Sequence, residues 1–187
     1  VVWDEPLYPC YLDQTRLEHP GRDQVLAIHA DEVDYASVAQ RLVSDSDAPV
    51  FYQKHMTHHL LDGMDRSWLD VPGIDHCFLL RDPREMILSL HARYPAMQLA
   101  DTGLPQQVEI FNRVRARGDL PPVIDARDVL GDPRGTLELL CHTLEIPFED
   151  SMLAWPAGLR DSDGAWADFW YDSVRRSTGF EQWRPRE

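Results

Sequence analysis

The sequence is short of lysine, cysteine and long apolar segments, and the last two shortages each exclude a class of protein. Lys54 is the only lysine among 187 residues, although arginine is common. The three cysteines, Cys10, Cys77 and Cys141, are odd in number and far apart, so they indicate neither a disulfide framework nor a thiolate zinc site. No apolar run approaches the roughly 20 residues that a membrane-spanning helix needs. We therefore expect a protein of the reducing cytoplasm.

Positive charge is also scarce, because 18 basic residues stand against 32 acidic ones and the net charge is −14. Such a surface is a poor partner for nucleic acids and for anionic membranes. The sequence also lacks a glycine-rich loop, followed by a basic residue and Ser or Thr, that could cradle a phosphate before a helix. An anionic ligand would therefore have to bind in a local basic pocket.

Short apolar runs alternate with helical patterns along the chain. Strands are predicted at 1–3, 50–53, 76–80 and 122–125, and helices at 7–17, 34–43, 83–93, 106–117 and 134–144. The length and the hydrophobic content of 43% suit a single domain over residues 1–187. The alternation predicts an α/β fold with a mainly parallel sheet covered by helices on both faces.

Polar residues follow each of the predicted strands. They are Asp4 and Glu5 after the first strand, Lys54 and His55 after the second, Arg81 after the third, and Asp125 and Arg127 after the fourth. In α/β sheets, ligands bind outside the carboxyl ends of the parallel strands. We therefore expect these side chains to meet at one rim of the sheet and to form the functional site.

The segment 78–89 is an apolar strand that ends at Arg81 and turns into a helix carrying Ser89. An arginine fork beside the open N–H groups of a helix start suits an anion. This arginine–serine arrangement, eight residues apart, resembles the 3′-phosphate-binding segment of sulfotransferases that use 3′-phosphoadenosine 5′-phosphosulfate (PAPS) as donor. The resemblance implies that Arg81 and Ser89 hold the 3′-phosphate of the donor. The alternative is a surface turn in which Asp82 and Glu85 belong to a solvated helix start.

Lys54 and His55 extend this resemblance. Sulfotransferases have a lysine and a histidine at the end of the equivalent strand, usually with one residue between them, whereas here the two are adjacent. The resemblance implies that Lys54 stabilises charge on the transferring group and that His55 takes the proton of the acceptor. Some members use a glutamate after an earlier strand as the base instead, and Glu5 resembles that residue. The alternatives are ordinary strand-end and helix-capping roles.

Three nearby histidines, His55, His58 and His59, suggest a metal site as a further hypothesis. On a helix, His55 and His59 would share one face, as ligand pairs in zinc sites do. The glutamate of the HExxH motif is missing and the sequence shows no third ligand. We therefore favour histidines that line a polar rim or a helix start, and we expect no metal.

A late loop around Arg160 and Gly164 resembles the glycine- and arginine-containing loop that covers the nucleotide in sulfotransferases. The resemblance implies that Arg160 and Gly164 contact the donor. The segment 177–180 is a second candidate for this loop. The alternative is an ordinary C-terminal segment held in place by core tryptophans.

The resemblance runs from Val1 to about Trp183 and is most specific from Val50 to Ser89; it implies a PAPS-dependent sulfotransferase with the P-loop kinase-like α/β fold. PAPS would be the co-substrate, and the acceptor would be a small molecule with a hydroxyl or an amine. In that family a strand and a phosphate loop precede the strand that resembles 1–3, so we expect about 25 further residues before Val1 and an N-terminally incomplete domain. Two alternatives stay open: a nucleotide or small-molecule phosphotransferase that needs Mg²⁺, and a non-catalytic sulfotransferase-like binding module.

Overall fold

The computed structural model describes residues 1–92 and 94–184, and within them the chain forms two compact units. Unit 1 consists of Val1–Ile74 and Ala157–Arg176. Unit 2 consists of Asp75–Pro156 and the chain from Ser177 onward. The single domain predicted over 1–187 stays a prediction, and its last three residues lie outside the described part of the chain. No described helix is both long and apolar enough to cross a membrane.

Each unit combines short strands with helices. The described strands are β1 (Val2–Asp4), β2 (Tyr52–Lys54), β3 (Phe78–Leu80) and β4 (Val123–Asp125). The described α-helices are α1 (Tyr8–Thr15), α2 (Arg22–Ile28), α3 (Tyr35–Leu42), α4 (Pro83–His91), α5 (Leu104–Ala116), α6 (Ala126–Gly131), α7 (Pro133–Thr143), α8 (Ala167–Trp170) and α9 (Asp172–Arg176). Short 3₁₀ turns lie at Ala30–Glu32, Thr57–His59, Ser67–Asp70, Leu99–Thr102 and Asp150–Met152.

In unit 1, β1 and β2 pair in parallel, and this pairing positions the charged residues that end both strands. Trp3 is the register partner of Gln53, and Asp4 is the partner of Lys54. The Glu5 N–H donates to the Lys54 carbonyl at 2.8 Å and extends the ladder by one residue. Because the strands are parallel, their carboxyl ends lie side by side.

The core of unit 1 forms around the N-terminal helix. Its buried cluster contains Tyr8, Tyr11 and Leu12 of α1, Val25 of α2 and Trp166, which directly precedes α8. Leu12 and Val25 have no solvent exposure, and Trp166 is only 1% exposed. The late segment of the chain is therefore packed into a core that the first 30 residues begin.

In unit 2, β3 pairs in parallel with β4, with Leu80 opposite Asp125. Phe78 is buried and meets the ring of Phe111 on α5 edge to face, with 5.5 Å between the ring centroids. The turns after β3 and β4 therefore start next to one another, and each leads into a helix.

Aspartate residues cap the N-termini of several of these helices. An aspartate carboxylate just before the first helical residue accepts a backbone N–H that has no partner in the helix. The four caps are Asp34 for α3, Asp82 for α4, Asp125 for α6 and Asp132 for α7. Proline in the first turn of α4 and α7 adds to this preference, because its fixed φ suits a helix start.

The structure confirms the predicted α/β class with parallel strands, but the described strands form two two-stranded sheets, so the strand ends expected at one rim lie at two. Helices α2 and α6 were not predicted, and the boundaries of the predicted elements differ in detail. The strands predicted at 50–53 and 76–80 begin two residues later, at Tyr52 and Phe78. The helix predicted at 106–117 begins at Leu104 and ends at Ala116. The helix predicted at 83–93 is described as far as His91, and its predicted end at Arg93 lies outside the described residues.

Candidate functional site

The carboxyl ends of β1 and β2 bring together four polar side chains, here called the acid–lysine–tyrosine cluster: Asp4, Glu5, Lys54 and Tyr171. The Lys54 Nζ lies 3.0 Å from Asp4 Oδ1, 2.5 Å from Glu5 Oε1 and 2.6 Å from the Tyr171 phenol oxygen. The phenol oxygen lies 2.6 Å from Asp4 Oδ2 and 2.8 Å from Glu5 Oε1, so its one proton can be donated to either carboxylate. Both carboxylates are buried, and the lysine side chain is 37% exposed.

Glu5, whose carboxylate contacts Lys54 and Tyr171, has a strained backbone conformation. Glu5 has a φ of +44°, a left-handed conformation that costs a non-glycine residue about 1–3 kcal/mol. The residue follows β1 immediately, so the change of direction takes place at the strand end. Strain of this kind persists where the surrounding contacts require it, and Glu5 is held by Lys54 and Tyr171.

The two residues that flank α8 complete the cluster. Trp166 precedes the helix, and its indole N–H donates to Asp4 Oδ2 at 3.1 Å. Tyr171 follows the helix, and its own N–H donates to the Ala167 carbonyl at 3.0 Å. Sequence reasoning missed both residues as partners of the site, because Tyr171 lies 117 positions from Lys54 and no local motif marks it.

The electrostatics of the cluster keep the lysine charged and the tyrosine neutral. Burial lowers the pKa of Lys54, but the charges of Glu5 and Asp4 and the bonds to them outweigh this effect and raise it above its ordinary value. Burial, together with Glu5 and Asp4, raises the pKa of Tyr171 far above that of a free phenol. The cluster thus places two carboxyl groups around one ammonium group. Such a site can stabilise growing negative charge through Lys54 and accept a proton on a carboxylate.

His55 occupies different surroundings from its neighbour Lys54. Its Nε2 lies 3.2 Å from the Gln53 side-chain oxygen, and its ring lies 5.2 Å from the ring of Trp68. Successive residues of an extended chain point to opposite sides, which accounts for the difference between adjacent residues. The structure thus brings Glu5 and Lys54 together directly and gives His55 a separate set of contacts.

The other two histidines of the metal hypothesis lie in an aromatic environment. His59 is 2% exposed, and its ring centroid lies 4.9 Å from those of Tyr8 and Tyr11 and 4.4 Å from that of His58. Burial and the neighbouring histidines lower the pKa of His59 well below its ordinary value. Within the described residues, no group of three or more His, Cys, Asp or Glu side chains is arranged to hold a metal ion.

Arg160 and Gly164 also belong to unit 1. The exposed Arg160 starts a turn in which its N–H donates to the Asp163 carboxylate at 2.9 Å. Gly164 lies against the Trp166 ring so closely that a Cβ there would be 2.2 Å from ring atoms. Gly164 and Trp166 line a cavity of about 420 Å³ together with Asp4, so this loop reaches the acidic side of the cluster.

In unit 2, the turns after β3 and β4 form a second charged group, here called the arginine–glutamate cluster: Arg81, Asp82, Glu85, Arg127 and Trp183. The buried Glu85 carboxylate lies 3.7 Å from Arg81 Nε and 3.1 Å from Arg127 Nη2. The same Arg127 nitrogen lies 2.8 Å from Asp82 Oδ2. The indole N–H of Trp183 donates to Glu85 at 3.2 Å.

The predicted phosphate-binding pair, Arg81 and Ser89, lies in unit 2. Arg81 follows β3, and the half-buried Ser89 lies two turns into α4. The structure therefore divides the predicted site residues between the units, since Glu5, Lys54, His55, Arg160 and Gly164 lie in unit 1. The contacts of Arg127 with Glu85 were missed from the sequence, although the parallel neighbours β3 and β4 had to end side by side.

Comparison with known proteins gives a match to one family along nearly the whole chain. The family is described as a sulfotransferase domain, and the match covers residues 1–185. Branched-chain-amino-acid aminotransferase-like protein 1 from Arabidopsis thaliana is 37% identical over 180 residues, which are 96% of this chain and 32% of the relative. Protein 2 of the same name and organism is 33% identical over 180 residues, with 96% and 31% covered. The chain thus spans about a third of the length of these relatives, and no solved structure matches it.

Proposed function

The chain belongs to the sulfotransferase domain family, and we propose that it moves a sulfuryl group from PAPS to the hydroxyl or amine of a small-molecule acceptor. The observation that carries this proposal is the Lys54 ammonium at the shared end of β1 and β2, held 2.5 Å from the Glu5 carboxylate. A fixed cation beside a carboxylate provides the two groups that sulfuryl transfer needs, one for charge and one for a proton.

The chemistry divides between these two side chains. PAPS would supply a sulfuryl group whose bond to the bridging phosphate oxygen breaks as the acceptor oxygen or nitrogen bonds to sulfur. Lys54 would stabilise the negative charge that develops on the bridging oxygen. Glu5 would take the proton that the acceptor loses. We favour Glu5 over His55 as the base because the Glu5 carboxylate contacts Lys54 directly.

The remaining predicted residues are proposed to bind the nucleotide. Arg81 would hold the 3′-phosphate from the end of β3 and Ser89 from two turns into α4, because a guanidinium and a hydroxyl both bind phosphate oxygens. Arg160 and Gly164 would contact the donor from the late loop. The residues of unit 2 fit such an anion, because the Arg81 side chain is 36% exposed and meets Glu85 through Nε rather than through its terminal nitrogens.

We also propose that the protein works in a reducing compartment such as the cytoplasm and binds neither nucleic acid nor membrane. Cys10 and Cys141 are buried free thiols, and Cys77 is an exposed one, which suits a reducing environment. The net charge of −14 opposes binding to anionic polymers and surfaces.

The test measures transfer from radiolabelled PAPS to a panel of phenols, alcohols and amines. We expect Lys54→Ala to lower kcat by about 10²–10³-fold with a smaller change in KM, because its contact strengthens in the transition state. Lys54→Arg, which keeps the charge, should retain more activity. Glu5→Gln should lower the rate by about 10²–10⁴-fold, and His55→Asn should have little effect.

Transfer assays with each donor, together with a PAPS-binding titration, separate the alternatives. Transfer from ATP that requires Mg²⁺, with none from PAPS, would replace the proposal with a phosphotransferase. Binding of PAPS without transfer to any acceptor class would support the binding module. Full activity of Lys54→Ala would show that the acid–lysine–tyrosine cluster is not the reaction site.

A further inference from the structure

The Glu85 carboxylate in unit 2 joins two arginines that come from different turns. Glu85 is 8% exposed, and its two oxygens are used by different partners. Oε2 lies 3.7 Å from Arg81 Nε, and Oε1 lies 3.1 Å from Arg127 Nη2. Two guanidinium groups that would otherwise repel one another are therefore held on either side of one buried carboxylate.

The position of Arg127 is determined by further contacts. Its Nη2 also lies 2.8 Å from Asp82 Oδ2, and its guanidinium carbon lies 4.8 Å from the centre of the Trp183 ring. Its backbone N–H donates to the Asp125 cap at 2.8 Å. Such a side chain loses little further rotamer freedom when it binds a ligand, because its orientation is already fixed.

Both arginines keep donor groups for a ligand. The ion pairs of Arg127 with Asp82 and Glu85 both use Nη2, and the side chain is 44% exposed. Among the described residues, no ion pair or hydrogen bond uses Nη1 or Nε of Arg127, or the terminal nitrogens of Arg81. The end-on fork of Arg81, formed by Nη1 and Nη2, matches two oxygens of a phosphate dianion, and Arg127 can add a single donor from Nη1 or Nε.

We propose that Arg127 is a second phosphate-binding residue beside Arg81, and that Glu85 is a positioning residue that holds both guanidinium groups toward the 3′-phosphate of a nucleotide. The inference rests on the proposed function, which places that phosphate at Arg81 and Ser89. It adds a residue from the turn after β4 to a phosphate site that the sequence assigned to Arg81 and Ser89 alone. A nucleotide that lacks the 3′-phosphate should gain nothing from Arg127.

The test compares two ligands that differ only in this phosphate, adenosine 3′,5′-bisphosphate and adenosine 5′-monophosphate, by isothermal titration calorimetry on the full chain. We expect Arg127→Gln to weaken bisphosphate binding by about 10–100-fold and to change monophosphate binding by less than about twofold. Arg127→Lys should recover part of the loss, because it restores the charge without the fixed direction of the guanidinium donors. Glu85→Gln should weaken bisphosphate binding less than Arg127→Gln does.

Arg134→Gln is the matched control. Arg134 lies on α7 of the same unit and forms exposed ion pairs with Glu138 and Asp150, so its loss should leave the ratio of the two affinities unchanged. Thermal unfolding identifies any variant that fails to fold. If Arg127→Gln fails to fold, the ratio of the two affinities is compared between Arg127→Lys and wild type. An unchanged affinity ratio in both Arg127 variants would overturn this inference while leaving the proposed function standing. No bisphosphate binding by the wild-type chain would overturn both.

Discussion

At the scale of single residues, the acid–lysine–tyrosine cluster depends on one hydroxyl as well as on its charges. The Tyr171 phenol accepts from Lys54 and can donate to Asp4 or Glu5. Two buried carboxyl groups share one ammonium group, and the phenol provides a further hydrogen bond to them. Because its pKa is raised, the phenol keeps its proton and remains a donor at neutral pH.

Tyr171→Phe removes this hydroxyl and retains the ring. We expect the free energy of unfolding to fall by about 1–3 kcal/mol, the range for a hydrogen bond to a charged group. Urea denaturation followed by circular dichroism measures the change. A loss of less than about 0.5 kcal/mol, the range of ordinary surface substitutions, would show that the hydroxyl of Tyr171 contributes nothing.

At the scale of elements, the start of α2 packs tightly against α8. Gly21 directly precedes α2 and has a φ of +71°. A Cβ at this position would lie 2.0 Å from the Phe169 ring of α8, closer than any real contact. The start of α2 and the late helix α8 therefore meet at a position that requires glycine, both for its backbone and for its lack of a side chain.

Gly21→Ala should destabilise the protein through both effects, whereas Gly63→Ala isolates one of them. Gly63 has a φ of +83°, and a Cβ there would have nothing within 4 Å. We expect about 1 kcal/mol for the backbone alone at Gly63, and a further 1–3 kcal/mol at Gly21 for the overlap with Phe169. Thermal and urea unfolding of the two variants measure the difference. Equal losses would mean that Phe169 moves aside without cost.

At the scale of the whole molecule, the excess of acidic residues and the buried histidine act on stability in opposite directions as the pH falls. The net charge of −14 decreases as carboxylates take up protons, and this reduces repulsion within the folded chain. His59 is held neutral among Tyr8, Tyr11 and His58, with His19, His55 and Lys54 also acting on its charge. Its pKa is lowered by burial, so folding excludes a proton that the unfolded chain binds below about pH 6.5.

The stability that His59 contributes is therefore complete above about pH 6.5 and is lost as the pH falls from there toward the folded-state pKa. His59→Phe keeps a ring between the tyrosines and removes the titration. Between pH 7.5 and 5.5 we expect wild type to lose about 1 kcal/mol more unfolding free energy than His59→Phe. Urea unfolding at both pH values gives this double difference. Parallel pH profiles for the two proteins would contradict the assignment.

Much of the fold and part of the site could be predicted because they depend on nearby residues. Apolar runs, aspartate caps and prolines at helix starts act within a few positions, so the order of the strands and of the helices of eight or more residues follows from the sequence. Parallel neighbours end at the same edge, which is why the predicted meeting of Glu5 with Lys54 is seen in the structure. The boundaries were less certain, since three-residue strands carry little periodic signal.

The sequence by itself therefore determined the α/β class, the strand-end charges and the position of the sole lysine. The tertiary structure alone decided which distant side chains surround them: Trp166 and Tyr171 beside Asp4, and Arg127 and Trp183 beside Glu85. It also decided that His55 packs against Trp68 while Lys54 joins the carboxylates. The physical reason is that a buried charged group must form hydrogen bonds with polar groups within about 3 Å. The packing of the whole unit determines which groups lie that close, and local sequence patterns do not predict this packing.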